Sequence, residues 1–274
     1  MVATTDDVPQ APTLRPDTGF IKSLLGSKEL LLNLTSRELK VRYKRSILGF
    51  LWSLLNPLLM MAIFTVIFDV AFKAPIHDFP LYFLSGYLPF AYFQASAQVA
   101  TGVVVGNAGL VKKVWFPRTV LPLSVVLSQL VHFLLAMLVL LVVLALDKYN
   151  FLPYIPMLLV GIVLLTIFTA GVAMVFAATN TFFRDIQEFS GVLFLMWFYM
   201  TPVIYKASQL PPHYRWVLHL NPMYYYVTWI RATVFDLQNP SWGVIAGSVV
   251  CAVVTFVGGA WLFGRLTPRF AKEL

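Results

Sequence analysis

Long apolar runs alternate along the chain with short polar connections. Six stretches, at approximately 50–72, 81–105, 119–146, 154–179, 187–205 and 242–264, read as membrane spans, because a helix needs about 20 apolar residues to cross the hydrocarbon core. The pattern predicts an all-α polytopic membrane protein with six transmembrane helices. Ahead of the first stretch, Leu32, Leu39, Tyr43 and Phe50 share one helical face, with Arg37, Lys40 and Lys44 on a neighbouring face. Such a helix is expected to lie along the membrane surface. Between the fifth and sixth stretches, Trp216-Val-Leu-His-Leu220 and Met223-Tyr-Tyr-Tyr-Val-Thr-Trp-Ile230 flank Asn221-Pro222. Two short re-entrant helices on the outer side are expected there, and broken backbone at membrane depth survives only when buried in protein or lining a wet cavity. The partition that follows is a cytoplasmic tail (1–27), an amphipathic interface helix (28–49), a six-span domain (50–264) and a cytoplasmic C-terminus (265–274).

Charge fixes the orientation. With both termini inside, the inner segments hold 15 of the 20 Lys and Arg residues, and Lys73, Lys148, Lys206, Arg215 and Arg231 lie outside. That bias follows the positive-inside rule. The net charge of +8 then reflects attraction to anionic lipid and not to nucleic acid. With only 12% charged residues, half the proportion of a soluble domain, the composition excludes a water-soluble fold. Residues 1–19 carry no apolar core or small-residue cleavage site and read as a tail, not a signal peptide. The lone Cys251 supports neither a disulfide nor a thiolate metal site.

Catalytic motifs are missing. There is no Gly-x-x-x-x-Gly-Lys-Ser/Thr loop, and no Gly-Lys pair to seed one, so nucleotide hydrolysis belongs elsewhere. His77, His132, His213 and His219 have no metal-binding spacing. Ionisable residues are almost absent from the spans, Asp69 and His132 being among the exceptions, which disfavours an ion-coupled transporter. An embedded glycosyl- or acyltransferase is disfavoured too, for want of a catalytic constellation. Gln94, Gln98 and Thr101 fall on one face of the second span; they either join helices or line a path. Gly102/Gly106 and Gly243/Gly247 have the spacing of close helix contacts. Aromatics gather toward the outer half, among them Tyr82, Trp197, Tyr199, Tyr205, Tyr224 and Tyr225. They form an interfacial belt or offer flat faces and hydroxyl partners to sugars. Lys112, Lys113, Trp115 and Phe116, in the connection after the second span, serve an interface with lipid or with a partner protein.

Taken together, Arg37-Glu-Leu-Lys-Val-Arg-Tyr-Lys-Arg-Ser-Ile-Leu-Gly-Phe-Leu-Trp52 with Asn56-Pro57, Lys113-Val-Trp-Phe-Pro-Arg118, Arg184-Asp185, Tyr199-Met-Thr-Pro-Val-Ile-Tyr205 and Asn221-Pro-Met223 resemble the permease subunits of ABC-2 type exporters, and within them the O-antigen, capsule and teichoic-acid exporters. The resemblance covers the chain from about residue 28 onward. It implies a homodimer joined to two separate ATP-binding subunits that hold ATP and Mg, with no cofactor in this chain. It implies export of a lipid-linked glycan across the bacterial cytoplasmic (inner) membrane. By the same resemblance, Arg37, Lys40, Lys44, Lys112, Lys113, Trp115, Phe116 and Arg118 couple to the ATP-binding partner. The substrate path is expected to involve Gln94, Gln98 and the outer aromatics, with Arg42, Lys44 and Arg45 capturing phosphate at the entrance. An ABC-2 permease for drugs or small lipids shares this topology and is the alternative.

Overall fold

The computed structural model describes residues 26–44, 49–67, 78–114 and 116–274. Every regular element among them is helical. In chain order these are α1 (Lys28–Tyr43), α2 (Trp52–Phe64), α3 (Phe79–Gly106), α4 (Ala108–Lys113), α5 (Val120–Leu146), α6 (Ile155–Phe182), α7 (Ile186–Met200), α8 (Trp216–Leu220), α9 (Pro222–Val234), α10 (Trp242–Leu266) and α11 (Phe270–Glu273). Four apolar segments are long enough to cross a membrane: Phe79–Gly106, Val120–Leu146, Leu152–Phe182 and Trp242–Arg269. Two shorter ones, Leu54–Ile67 and Ile186–Met200, accompany them.

The fifth apolar stretch is therefore shorter as a helix than its hydropathy suggests. α7 has 15 residues, about 22 Å of rise, and stops where Thr201 turns extended at ψ 134°. The cause is Pro202, which has no N–H for the ladder and pushes the preceding residue out of the α region. Residues 201–205 turn back into the protein, and Thr201, Pro202 and Val203 are all buried. The same chemistry starts helices elsewhere: Pro80, Pro156 and Pro222 sit in the first turns of α3, α6 and α9, where a missing N–H costs nothing. Asn221 also caps α9, its side-chain oxygen accepting from the Met223 N–H at 3.0 Å.

α6 is the centre of the bundle and packs along α3, α5, α9 and α10. Its Gly161, Ala170, Gly171, Ala173, Ala177 and Ala178 keep it slim. Gly171 meets Gly259 of α10 backbone to backbone: a Cβ at Gly171 would strike the Thr255 carbonyl, and one at Gly259 the Gly171 carbonyl. Small residues allow this approach, which matters where lipid gives no hydrophobic drive for helix association. The expected pairs do not serve that way. Gly106 and Gly243 face open space, Gly102 faces the Gln187 amide, and Gly247 faces the Tyr225 ring.

Two ends result. At the basic end, α1 packs on α5, α4 follows α3 directly, and α11 folds back toward α4 and α6. Phe270 is buried against Phe182 and Phe263. α1 buries Leu34 and Thr35 against α5, with the Thr35 hydroxyl 3.5 Å from the Ser124 carbonyl, and leaves Leu32 61% exposed. At the far end, the Tyr149 O–H donates to Asp78 at 2.7 Å and its ring stacks on Phe235. Burial, followed by the neighbouring Asp78 carboxylate, pushes the Tyr149 phenol up to about 12, so it remains a donor at neutral pH.

Gly171→Leu is expected to lower the Tm of the detergent-solubilised protein by about 5–10 °C through overpacking, and Gly243→Ala to leave it unchanged. Fluorescence-detected size-exclusion after heating reads both. An unaltered Gly171→Leu melt would disprove the backbone-to-backbone crossing.

Candidate functional site

Two hollows lie in line along the seam between α3 and α5. The one nearer the basic end holds about 450 Å³ and is bordered by Glu38, Gln98, Gly102, Asn107, Val125 and Gln187. The other holds about 480 Å³, with Asn56, Gln129 and His132 as its polar groups and Trp52, Tyr87 and Tyr92 among its aromatic ones. Helical periodicity explains the alignment. Tyr87, Ala91, Gln94, Gln98 and Gly102 recur every three to four residues on α3, as do Val125, Gln129, His132 and Ala136 on α5, so each set forms one stripe. Gln94 is half-buried on that stripe between the hollows. α2 borders the upper hollow and α7 the lower.

At the basic end, Arg37 ties α1 to the α3–α4 junction. Its guanidinium donates to the Asn107 side-chain oxygen at 2.9 Å and pairs with Glu38 at 3.1 Å. Asn107 is itself held by a bond to the Val103 carbonyl at 2.8 Å. Lys112 and Lys113 close α4 and are exposed. Phe116 turns inward, only 8% exposed, and anchors the connection in place of offering its ring outward. Arg118 is half-buried and donates to the Thr267 carbonyl. Lys40 and Lys44 border an open groove of about 880 Å³ between α1 and α5. Arg45, Trp115 and the Arg42 side chain lie outside the described residues.

The outer aromatics divide into two groups. Tyr82 is buried; its O–H donates to the Tyr205 carbonyl at 2.8 Å and its ring lies under Arg231 at 3.8 Å. Trp197 is half-buried and donates to Asn221 at 2.7 Å. Neither opens to a path here. Tyr199 is 62% exposed on α7, Tyr205 is half-buried at the turn, and Tyr224 and Tyr225 pack around His219, whose carbonyl accepts from the Tyr225 O–H at 2.8 Å.

Two residues that join these parts were not singled out for any role from the sequence. Asn221 accepts from Trp197 and the Met223 N–H and donates to the Met200 carbonyl and the Thr201 hydroxyl. It thus welds the Tyr199–Tyr205 segment to α9; the Asn-Pro pair was the visible cue, a cap followed by a first-turn proline. Arg231 reads from the sequence as an outer-loop charge. In the fold it is only 6% exposed and donates to the carbonyls of Pro202 at 2.7 Å and Val203 at 3.0 Å. Gly86 of α3 leaves the space its guanidinium occupies. Gly161 under Trp229 and Gly247 under Tyr225 make similar sockets, so α9 is set into α3, α6 and α10 by three large side chains.

Residues 29–235 match the ABC-2 type transporter family. The chain belongs to that family. This ABC-2 protein is 33% identical over 252 residues to the O-antigen export system permease protein RfbA of Klebsiella pneumoniae, covering 90% of this chain and 95% of the relative. It is 32% identical to the RfbA permease of Myxococcus xanthus, over 93% of this chain and 99% of the relative. The polysialic acid transport protein KpsM of Escherichia coli is 24% identical over 72% of this chain and 78% of its own length.

Arg231→Met removes donors from two buried carbonyls of this ABC-2 protein and is expected to cost about 3 kcal/mol or more. Gly86→Ala alone forces the guanidinium aside. Because both changes act at one contact, the double variant is expected to be destabilised by less than the sum of the single ones, measured as Tm. Strict additivity would show that Gly86 and Arg231 do not share a socket.

Proposed function

We propose that this chain is the permease subunit of an ATP-driven exporter that moves a lipid-linked polysaccharide across the bacterial cytoplasmic membrane. The observation that carries this is the near end-to-end similarity to O-antigen export permeases. The lined-up hollows support it. Amides satisfy sugar hydroxyls, and aromatic faces meet the apolar faces of sugar rings at low entropy cost, a chemistry that small apolar cargo does not require.

Two copies pair in the working exporter. α2 exposes Leu58, Leu59 and Ile63, with Val66 just after it, and α7 exposes Phe189, Val192, Leu195, Met196 and Met200. These helices flank the seam, so a second copy seated against them completes a conduit from two half-grooves. Both α2 and α7 serve as spans in this assembly, giving six per subunit. The basic end faces the cytoplasm, following the positive-inside rule, and both termini lie there.

Two ATP-binding subunits, which hold the ATP and Mg, dock at that end. Lys112 and Lys113 stand free on α4, and the Arg37–Asn107 bridge joins α4 to α1. Closure of the partners on ATP pushes this joined unit and tilts α3 against α5 along the seam. Such a stroke requires contacts that differ between the two states. Lys40 and Lys44 border the groove beside α1 and, with Arg42 and Arg45, offer the lipid diphosphate its counter-charge.

Charge reversal in the variant Lys112→Glu/Lys113→Glu is expected to cut export at least tenfold with normal amounts of permease in the membrane, read by surface glycan labelling and immunoblot. Full export by that variant would reject the docking assignment.

A further inference from the structure

Among the described residues, the seam between α3 and α5 carries hydrogen-bonding groups along its length but no Lys or Arg. Gln94 and Gln98 project from α3, Gln129 and His132 from α5, Asn56 from α2 and Gln187 from α7. Among the described residues that border the two hollows there is no Lys or Arg. Arg37, at the mouth, gives its guanidinium to Glu38 and Asn107. Arg231 lies against another face of α3: Gly86, which faces it, is some 120° around the helix from Gln98, and its guanidinium is engaged by two carbonyls. Among the described residues that border the hollows, the one carboxylate is Glu38, at the mouth.

The electrostatics discriminate between glycans. A sugar hydroxyl that leaves water can exchange its hydrogen bonds for those of an amide at little net cost. A carboxylate or phosphate that enters a low-dielectric slab without a cation loses several kcal/mol per ion even after relaxation. A polymer with one such group in every repeat meets that cost again at each step. We infer that the seam is a groove selective for uncharged sugar units, so that the exported glycan carries no carboxylate or phosphate in its repeating unit and the lipid diphosphate is its only anionic part. This rests on the export reading above and specifies the substrate class of the same site.

The test uses the cells that make this chain. Deleting its gene removes one surface polysaccharide, which is then purified from the parent and assayed for uronic acid, other carboxylated sugars and phosphate. The expected result is a neutral repeat. An acidic group in every repeat overturns the inference but leaves the export reading intact, whereas loss of no surface glycan overturns the export reading itself. Complementation with Gln98→Ala/Gln187→Ala ties the result to the seam: surface glycan is expected to fall at least fivefold at unchanged permease level. Wild-type export by that variant would remove the lower hollow from the path. Gln98→Glu, close in size to the native residue, is expected to reproduce the defect, and wild-type export by it would count against charge selection.

Discussion

A carbonyl removed from water needs a donor, and the far end of this fold is arranged around that requirement. Residues 201–205 turn back into the protein because Pro202 cannot extend α7, and the turn leaves the Pro202 and Val203 carbonyls buried without helical partners. Arg231 supplies the donors. A guanidinium suits the task because it is planar, carries five donors and is less strongly hydrated than an ammonium. Its presence explains the neighbours: Gly86 yields the space, Tyr82 lies under the charge, and the Tyr82 O–H reaches the Tyr205 carbonyl beyond. Together with Asn221, this cluster anchors the end of α7, the turn and α9 to one another.

From that anchor the rest of the far end can be followed outward. Asn221 repeats the solution on a smaller scale, meeting a helix cap, an indole and two groups at the end of α7 with one amide. Glycine sockets do for shape what these polar groups do for hydrogen bonding. The result is a rigid outer wall around α9, with α8 and Tyr199 as its exposed margin. Below it, α2 and α7, which flank the seam between α3 and α5, pack less extensively on the bundle.

Much of this was legible in the residues. Hydropathy located the four long helices, and Asn221-Pro222 marked the break between α8 and α9. Helix rotation was not legible. In a segment such as α6 or α10 nearly every position is apolar, so the pattern does not distinguish a face against lipid from a face against protein. The sequence therefore nominated Gly102/Gly106 and Gly243/Gly247, while the fold uses Gly171 and Gly259. The contact of α1 with α5 was not legible either, because Thr35 approaches the Ser124 carbonyl, which α1 alone does not reveal. Arg231 was hidden by its type, since an arginine in a connection between spans is ordinarily wet. Its carbonyl partners lie 28 and 29 residues away.

The bond from Arg37 to Asn107 spans 70 positions in the chain, and it joins α1 to the start of α4. Joined parts have little backlash: a displacement applied to α4 reaches α1 before it is spent in bending the connection between them. With the docking proposed for α4, one bearing point is then enough to drive both elements in phase.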